Sequence, residues 1–164
     1  MGACFVQKLA PSIVPMFKSL LLATDGQDHT SRAIQACLQM AKRFHSSVTA
    51  IHVIDPYLKQ FYNEIYAQGR REYLLHVDEC LETEAAKIEK DLKNLFECEV
   101  SAFSFIKVYG EPEGEILKEM EKGSYDMLIT GGKVLSGIKK ITSWNLPSRL
   151  EARSPGVPVL ICRM

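Results

Sequence analysis

The stretch FKSLLLATDG, residues 17–26, decides how the rest of the chain is read. Its apolar run is continuous and too short for a helix, and Asp25-Gly26 supplies turn chemistry where it stops. A strand of that kind is covered on both faces, at the centre of a sheet. Just downstream, Asp28 is expected to cap a helix in which Ala33, Ile34, Cys37, Ala41 and Phe44 fall at helical spacing. The segment SSVTAIHVID, residues 46–55, then restores strand character. Together these segments make one βαβ unit.

The same alternation continues to the end of the chain. From about residue 57 to residue 96 the spacing predicts a long helix, with Leu74, Val77, Leu81, Ala85, Ile88, Leu92 and Leu95 recurring every three or four residues. This stripe reads as one helix covering one face of a sheet rather than as a coiled-coil seam. VSAFSFIKV, residues 100–108, predicts a strand. It is followed by a short helix behind Pro112 that holds Ile116, Leu117 and Met120. Glu113 and Glu115 open that helix, where carboxylates complement its dipole. DMLIT, residues 126–130, predicts a fourth strand, Leu146 and Leu150 a short final helix, and GVPVLICRM, residues 156–164, a fifth strand. The expected fold is therefore α/β, an open five-stranded parallel sheet with helices on both faces and right-handed crossovers.

Composition narrows the function classes. The 164 residues, 46% of them hydrophobic, suit one domain with one core. Twenty basic residues balance twenty acidic ones, so no overall field draws the chain to nucleic acid or to an anionic membrane. The five cysteines are odd in number and never form CxxC, which predicts reduced, mostly packed thiols and neither a disulfide framework nor a zinc site. Residues 1–16 read as an extension ahead of a domain spanning residues 17–164. They lack the basic start of a secretory signal, and Val6 stands where myristoylation needs Ser or Thr. No apolar run approaches the length of a membrane span, and a soluble cytoplasmic protein is expected.

In an open parallel sheet, ligands bind beyond the carboxyl ends of the strands, where strand order reverses. Asp25-Gly26, the segment from His52 to Asp55, and Gly131 onward all fall at such ends, and together they predict one crevice. Here the chain resembles the universal stress protein family, through FKSLLLATDG, AIHVID, VYGEPEGEILKEM, YDMLITGG and PGVPVLIC in that order. The resemblance covers residues 17–164. It implies a Rossmann-like five-stranded sheet, a homodimer and, in some members only, bound ATP.

The ATP-binding members carry a glycine, two residues, a second glycine, nine residues, then a third glycine followed by Ser or Thr. In this sequence those positions are Gly131, Val134, Trp144 and Asn145, so one glycine of three survives. A phosphate loop needs backbone that approaches oxygens closely and often at positive φ, which valine tolerates poorly and an indole obstructs. Trp144 is expected to pack on Ile141 and Leu146 and close the crevice with its own side chain. The resemblance also places Asp25 near a nucleotide's sugar and base, and the backbone of Val53 near adenine. Asp at a strand end before Gly also fixes a turn, and Val53 would sit in a strand whatever the ligand.

Other constellations fall away. Gly132 and Gly137 have P-loop spacing, but Ile138 stands where lysine is required. Lys133, Lys139 and Lys140 make the segment basic, as a solvated loop often is. His29, His45, His52 and His76 have no metal spacing, and His52 is expected to be a hydrogen-bonded core histidine. No Gly-x-Ser-x-Gly elbow is present, and no catalytic residue is assigned. The function expected is a regulatory or interaction dimer without a bound nucleotide, acting through protein partners. Its dimer contact is expected to be the last strand, residues 158–163, which begins with Pro158 and ends with Arg163. The alternative is an ATP- or AMP-binding switch with a divergent phosphate loop and slow hydrolysis, needing Mg or Mn only if ATP binds.

Overall fold

The computed structural model describes residues 17–55, 70–133 and 145–163. Five strands, β1 (Ser19–Ala23), β2 (Ser47–Ile54), β3 (Ala102–Tyr109), β4 (Met127–Gly132) and β5 (Val159–Arg163), form one sheet in the order β3-β2-β1-β4-β5. Every pairing is parallel, and Leu21 of β1 lies between Thr49 of β2 and Leu128 of β4. The helices among the described residues are α1 (Ser31–Phe44), α2 (Arg70–Phe96), α3 (Pro112–Lys122) and α4 (Leu146–Arg153). None of them is long and apolar enough to cross a membrane.

β1 is buried on both faces because helices cover both. Leu20 and Leu22 pack against Ala33, Cys37 and Ala41 of α1 and Ile88, Leu92 and Phe96 of α2. Leu21 and Ala23, on the other face, meet Ile116, Leu117 and Met120 of α3 and Leu150 of α4. The three leucines are fully buried, each contributing about 1.5–3 kcal/mol relative to exposure. An uninterrupted apolar run is what such a position requires.

Three expectations are corrected. Asp28 does not cap α1: a 3₁₀ turn, Asp28–Thr30, precedes the helix and puts Thr30 at the cap position, and no side chain bonds there. Asp28 contributes its backbone carbonyl instead, accepting from the Ser31 hydroxyl at 2.7 Å. On α2 the buried ridge runs Ala85, Ile88, Leu92 and Phe96, while Leu95 is 41% exposed. A four-residue step from Leu92 reaches Phe96, which stacks on Phe103 of β3 at 5.2 Å and leaves Leu95 turned outward. The part of the expected helix in residues 57–69 lies outside the described residues. Among the described residues the thiols are not mostly packed: Cys37 is buried and Cys162 half-buried, but Cys80 and Cys98 are exposed on or just beyond α2, and Cys4 lies outside the described residues. Burial, with Cys162 nearby, pushes the Cys37 thiol up to about 12, which leaves it a neutral packing group.

Candidate functional site

From β1 the chain steps outward through β2 to β3, then returns past β1 to β4 and β5 on the other side. The loops leaving β1 and β4 therefore diverge, and a crevice of about 440 Å³ opens at their carboxyl ends. Its floor includes Ile51 and Val53 of β2 and Ile116 of α3, so it is apolar below and polar at the rim.

The β1 wall is a closed hydrogen-bond system. The Thr30 hydroxyl donates to the Gln27 carbonyl at 2.8 Å, so its oxygen accepts from the Thr24 hydroxyl 3.1 Å away. Thr24 Oγ1 in turn accepts from the Gly26 backbone N–H at 3.1 Å. Asp25 follows the same pattern: Oδ1 accepts from the Gln27 N–H at 2.9 Å, an Asx-type turn, and Oδ2 lies 3.3 Å from His29 Nε2. Gly26 has φ +74, which favours glycine, and a Cβ there would lie 2.5 Å from the end of the Ile88 side chain, which would have to shift. His52 Nδ1 lies 3.0 Å from the Thr24 carbonyl, and since a carbonyl only accepts, Nδ1 carries the proton. His52 is thus the buried, hydrogen-bonded histidine that its strand position predicts.

The β4 wall is built from small residues. Thr130, Gly131 and Gly132 are all buried. A Cβ on Gly131 would lie 2.5 Å from the His29 carbonyl oxygen and 2.7 Å from Thr30 Cα, so the 3₁₀ turn occupies the space that this glycine leaves. Lys133 stands exposed at the rim, and Asn145 completes the wall ahead of α4. The Asn145 carbonyl accepts from Arg149 N–H at 3.1 Å, while its side chain makes no capping bond. Val134, Trp144, Ile141, Lys139 and Lys140 lie outside the described residues, and with them the expected closure by the indole. Of the residues assigned from the sequence, Asp25, Val53, Gly131 and Asn145 do line one crevice.

Two contributors were missed. His29 lines the crevice beside Asp25, and the i,i+4 spacing of the two was the only signal in the sequence. Glu113 was assigned to helix electrostatics, yet it is fully buried and paired with Arg149 and with Arg153, the latter at 2.6 Å. Two arginines four residues apart on α4 marked a partner for a buried carboxylate. The cluster ties α3 to α4, whose first residues Pro112 and Leu146 both border the crevice. α3 itself starts on the Glu111 carboxylate, which accepts from the Gly114 N–H at 2.7 Å, with Pro112 at its first position.

Among known proteins, the chain matches the universal stress protein family over residues 16–163. It is 26% identical over 148 residues to universal stress protein MJ0531 of Methanocaldococcus jannaschii, covering 90% of this chain and 83% of that protein. Universal stress protein UspA from Lactobacillus plantarum superposes with a TM-score of 0.65 at 17% identity, over 90% of this chain and 99% of that one. A universal stress protein family protein from Arabidopsis thaliana with AMP bound superposes with a TM-score of 0.57 at 15% identity, over 89% and 91% of the two chains. At these identities the structural likeness establishes the fold alone.

Proposed function

The chain belongs to the universal stress protein family, and from that premise we propose that it is a regulatory or interaction dimer that works without a bound nucleotide. The observation that carries this reading is the state of the β1 wall. Both oxygens of Asp25 have partners within the protein, and the space beside Gly131 is filled by the 3₁₀ turn. Two of the three sequence matches that favour a nucleotide, Asp25 and Gly131, thus have local work of their own. The retained Gly131 serves packing, and Val134, Trp144 and Asn145 replace the remaining glycines and hydroxyl of the ATP-binding pattern.

The alternative, an AMP- or ATP-binding switch, is favoured by the crevice itself. Its volume of about 440 Å³ falls within the ordinary range for small-molecule sites, and the Arabidopsis relative of the same fold was solved with AMP. Mg or Mn would accompany only a bound triphosphate. To separate the two readings, freshly purified protein is denatured and removed, and the supernatant is assayed for adenine nucleotide. The expected result is none, together with calorimetric ATP affinity weaker than about 100 μM, or roughly 5.5 kcal/mol. Stoichiometric AMP or ATP, or micromolar affinity, would establish the switch.

The dimer is assigned to the edge of β5, residues 158–163, an outer strand whose free side offers a template for a second copy. Val159, Leu160, Ile161 and Cys162 are each only half-buried, which leaves apolar surface there for a partner to cover. Leu160→Pro removes a donor from the ladder and is expected to shift sedimentation from dimer to monomer or aggregate. A monomeric wild type, or a dimeric variant, would remove this assignment. The chain works in the cytoplasm through protein partners, and residues 1–16 are an extension that the domain does without.

A further inference from the structure

Outside the crevice, α2 carries a pair of donor side chains that no part of this reading uses. His76 and Cys80 lie one helical turn apart on the exposed side of α2, away from the ridge of Ala85, Ile88 and Leu92. The Cys80 sulfur is 3.7 Å from His76 Nε2. A tetrahedral zinc ion with a sulfur ligand at about 2.3 Å and an imidazole ligand at about 2.0–2.1 Å holds those two atoms about 3.6 Å apart. The pair therefore stands at the separation a single metal ion would span, with both donors open to solvent. Around it the sequence HVDECLETEAA, residues 76–86, contains Asp78, Glu79, Glu82 and Glu84; Lys107 of β3 engages Glu82, and the other three carboxylates leave the segment acidic, which favours a cation.

We propose that His76 and Cys80 form a two-donor site for a thiophilic divalent cation of the zinc class. The donor set selects the metal: thiolate and imidazole suit zinc and its soft neighbours, whereas the hard cations magnesium and calcium seek oxygen. Binding replaces waters of the hydrated ion with one metal–sulfur and one metal–nitrogen bond, and the thiol proton passes to solvent, so the step releases water and one proton and involves no change of oxidation state. Among the described residues no group of three or more such donors stands together. The pair thus supplies two positions, and water fills the rest. A site of this kind is exchangeable, unlike the closed four-ligand sites that hold a fold together. Neither His76 nor Cys80 lines the crevice, so the proposal is independent of whether a nucleotide binds there.

The test uses the full chain, reduced and freed of metal, titrated with Co²⁺ alone while its thiolate-to-metal charge-transfer absorption is followed. The expected result is a band that saturates at one ion per chain and persists in Cys98→Ser, which removes the other exposed thiol of the same region. Cys80→Ser abolishes the band. His76→Ala moves the titration midpoint to higher Co²⁺ by at least the 10- to 100-fold or so that even outer-shell partners contribute. Both side chains are exposed, so circular dichroism of the variants should match the wild type. A titration with no thiolate band would overturn the proposal and leave the pair a simple hydrogen bond. So would a band that survives Cys80→Ser, or one that His76→Ala leaves in place.

Discussion

The two walls of the crevice meet at one contact and reach it by opposite means. On the β1 side, Thr24, Asp25, Gly26, Gln27 and Thr30 satisfy one another through a closed set of hydrogen bonds, with His29 against the carboxylate. On the β4 side, the wall works by having no side chain: Gly131 lets the 3₁₀ turn press its backbone against the strand. One wall is fixed by polar satisfaction and the other by lack of volume. A strand-end Asp-Gly and a strand-end Gly-Gly look alike in a sequence as marks of a ligand site, yet here each first serves the contact between the walls.

The largest effect is expected where the two walls touch. Gly131→Ala places a Cβ 2.5 Å from the His29 carbonyl oxygen and 2.7 Å from Thr30 Cα, both backbone atoms that cannot rotate away. Urea denaturation should show a loss of about 3 kcal/mol. A variant as stable as the wild type would mean that the turn moves freely, and the walls would not be locked together.

Next comes the hydroxyl at the centre of the β1 wall. Thr24→Val keeps the shape of a side chain that is 6% exposed but removes the donor to Thr30 and the acceptor for Gly26 N–H. Leaving those groups without partners should cost about 1–2 kcal/mol in the same experiment. If the loss were only a few tenths, hydrogen bonding would not be what fixes this wall.

How much of this could be read from the sequence divides along the same line. The sheet, its helices and the crevice followed from apolar periodicity and turn chemistry, which are local properties of the chain. Asp25 and Gly131 line the crevice as their strand-end positions suggest, whereas Val53 and Asn145, which also line it, were singled out only by the family resemblance. The roles of these residues were less legible, since they depend on contacts between distant segments. Gly131 is a glycine because of His29 and Thr30, about a hundred residues earlier, and Glu113 is buried because Arg149 and Arg153 reach it from α4. Asp28 was misread for a related reason, since only the packed turn shows that the helix starts three residues later.

A smaller change is expected in binding. His29 engages Oδ2 of an Asp25 side chain that is 49% exposed, so water already competes for the carboxylate and the contact is a modest one. Removing the imidazole in His29→Ala frees that oxygen for a donor on a ligand and widens the crevice beside it. Calorimetric titration with AMP should show affinity about tenfold tighter than wild type, or about 1.4 kcal/mol. No gain would mean that His29 does not guard Asp25, and that the β4 wall alone keeps nucleotides out.

The smallest effect belongs to Gly132, the next residue along the same strand. Its side of β4 faces Ile161 Cγ2 at 3.3 Å, Pro147 Cγ at 3.4 Å and Arg163 Cγ at 3.5 Å from where a Cβ would stand. All three are side-chain atoms, and two of them are at ordinary contact distance. The backbone there does not have positive φ, so alanine meets no conformational penalty. Alanine also removes freedom from the unfolded chain, which works in its favour. The close approach to Ile161 and the gain from the unfolded state should nearly cancel, leaving a change within about 0.5 kcal/mol of wild type in urea denaturation. The contrast with Gly131→Ala is the measurement that matters, because the same substitution is made one residue apart on one strand. If Gly132→Ala costs as much as Gly131→Ala, the β4 wall is uniformly intolerant of volume and the special contact with the 3₁₀ turn explains nothing. If only Gly131 is costly, the surviving glycine of the nucleotide pattern is held by the turn that packs on it, whether or not a phosphate ever comes near.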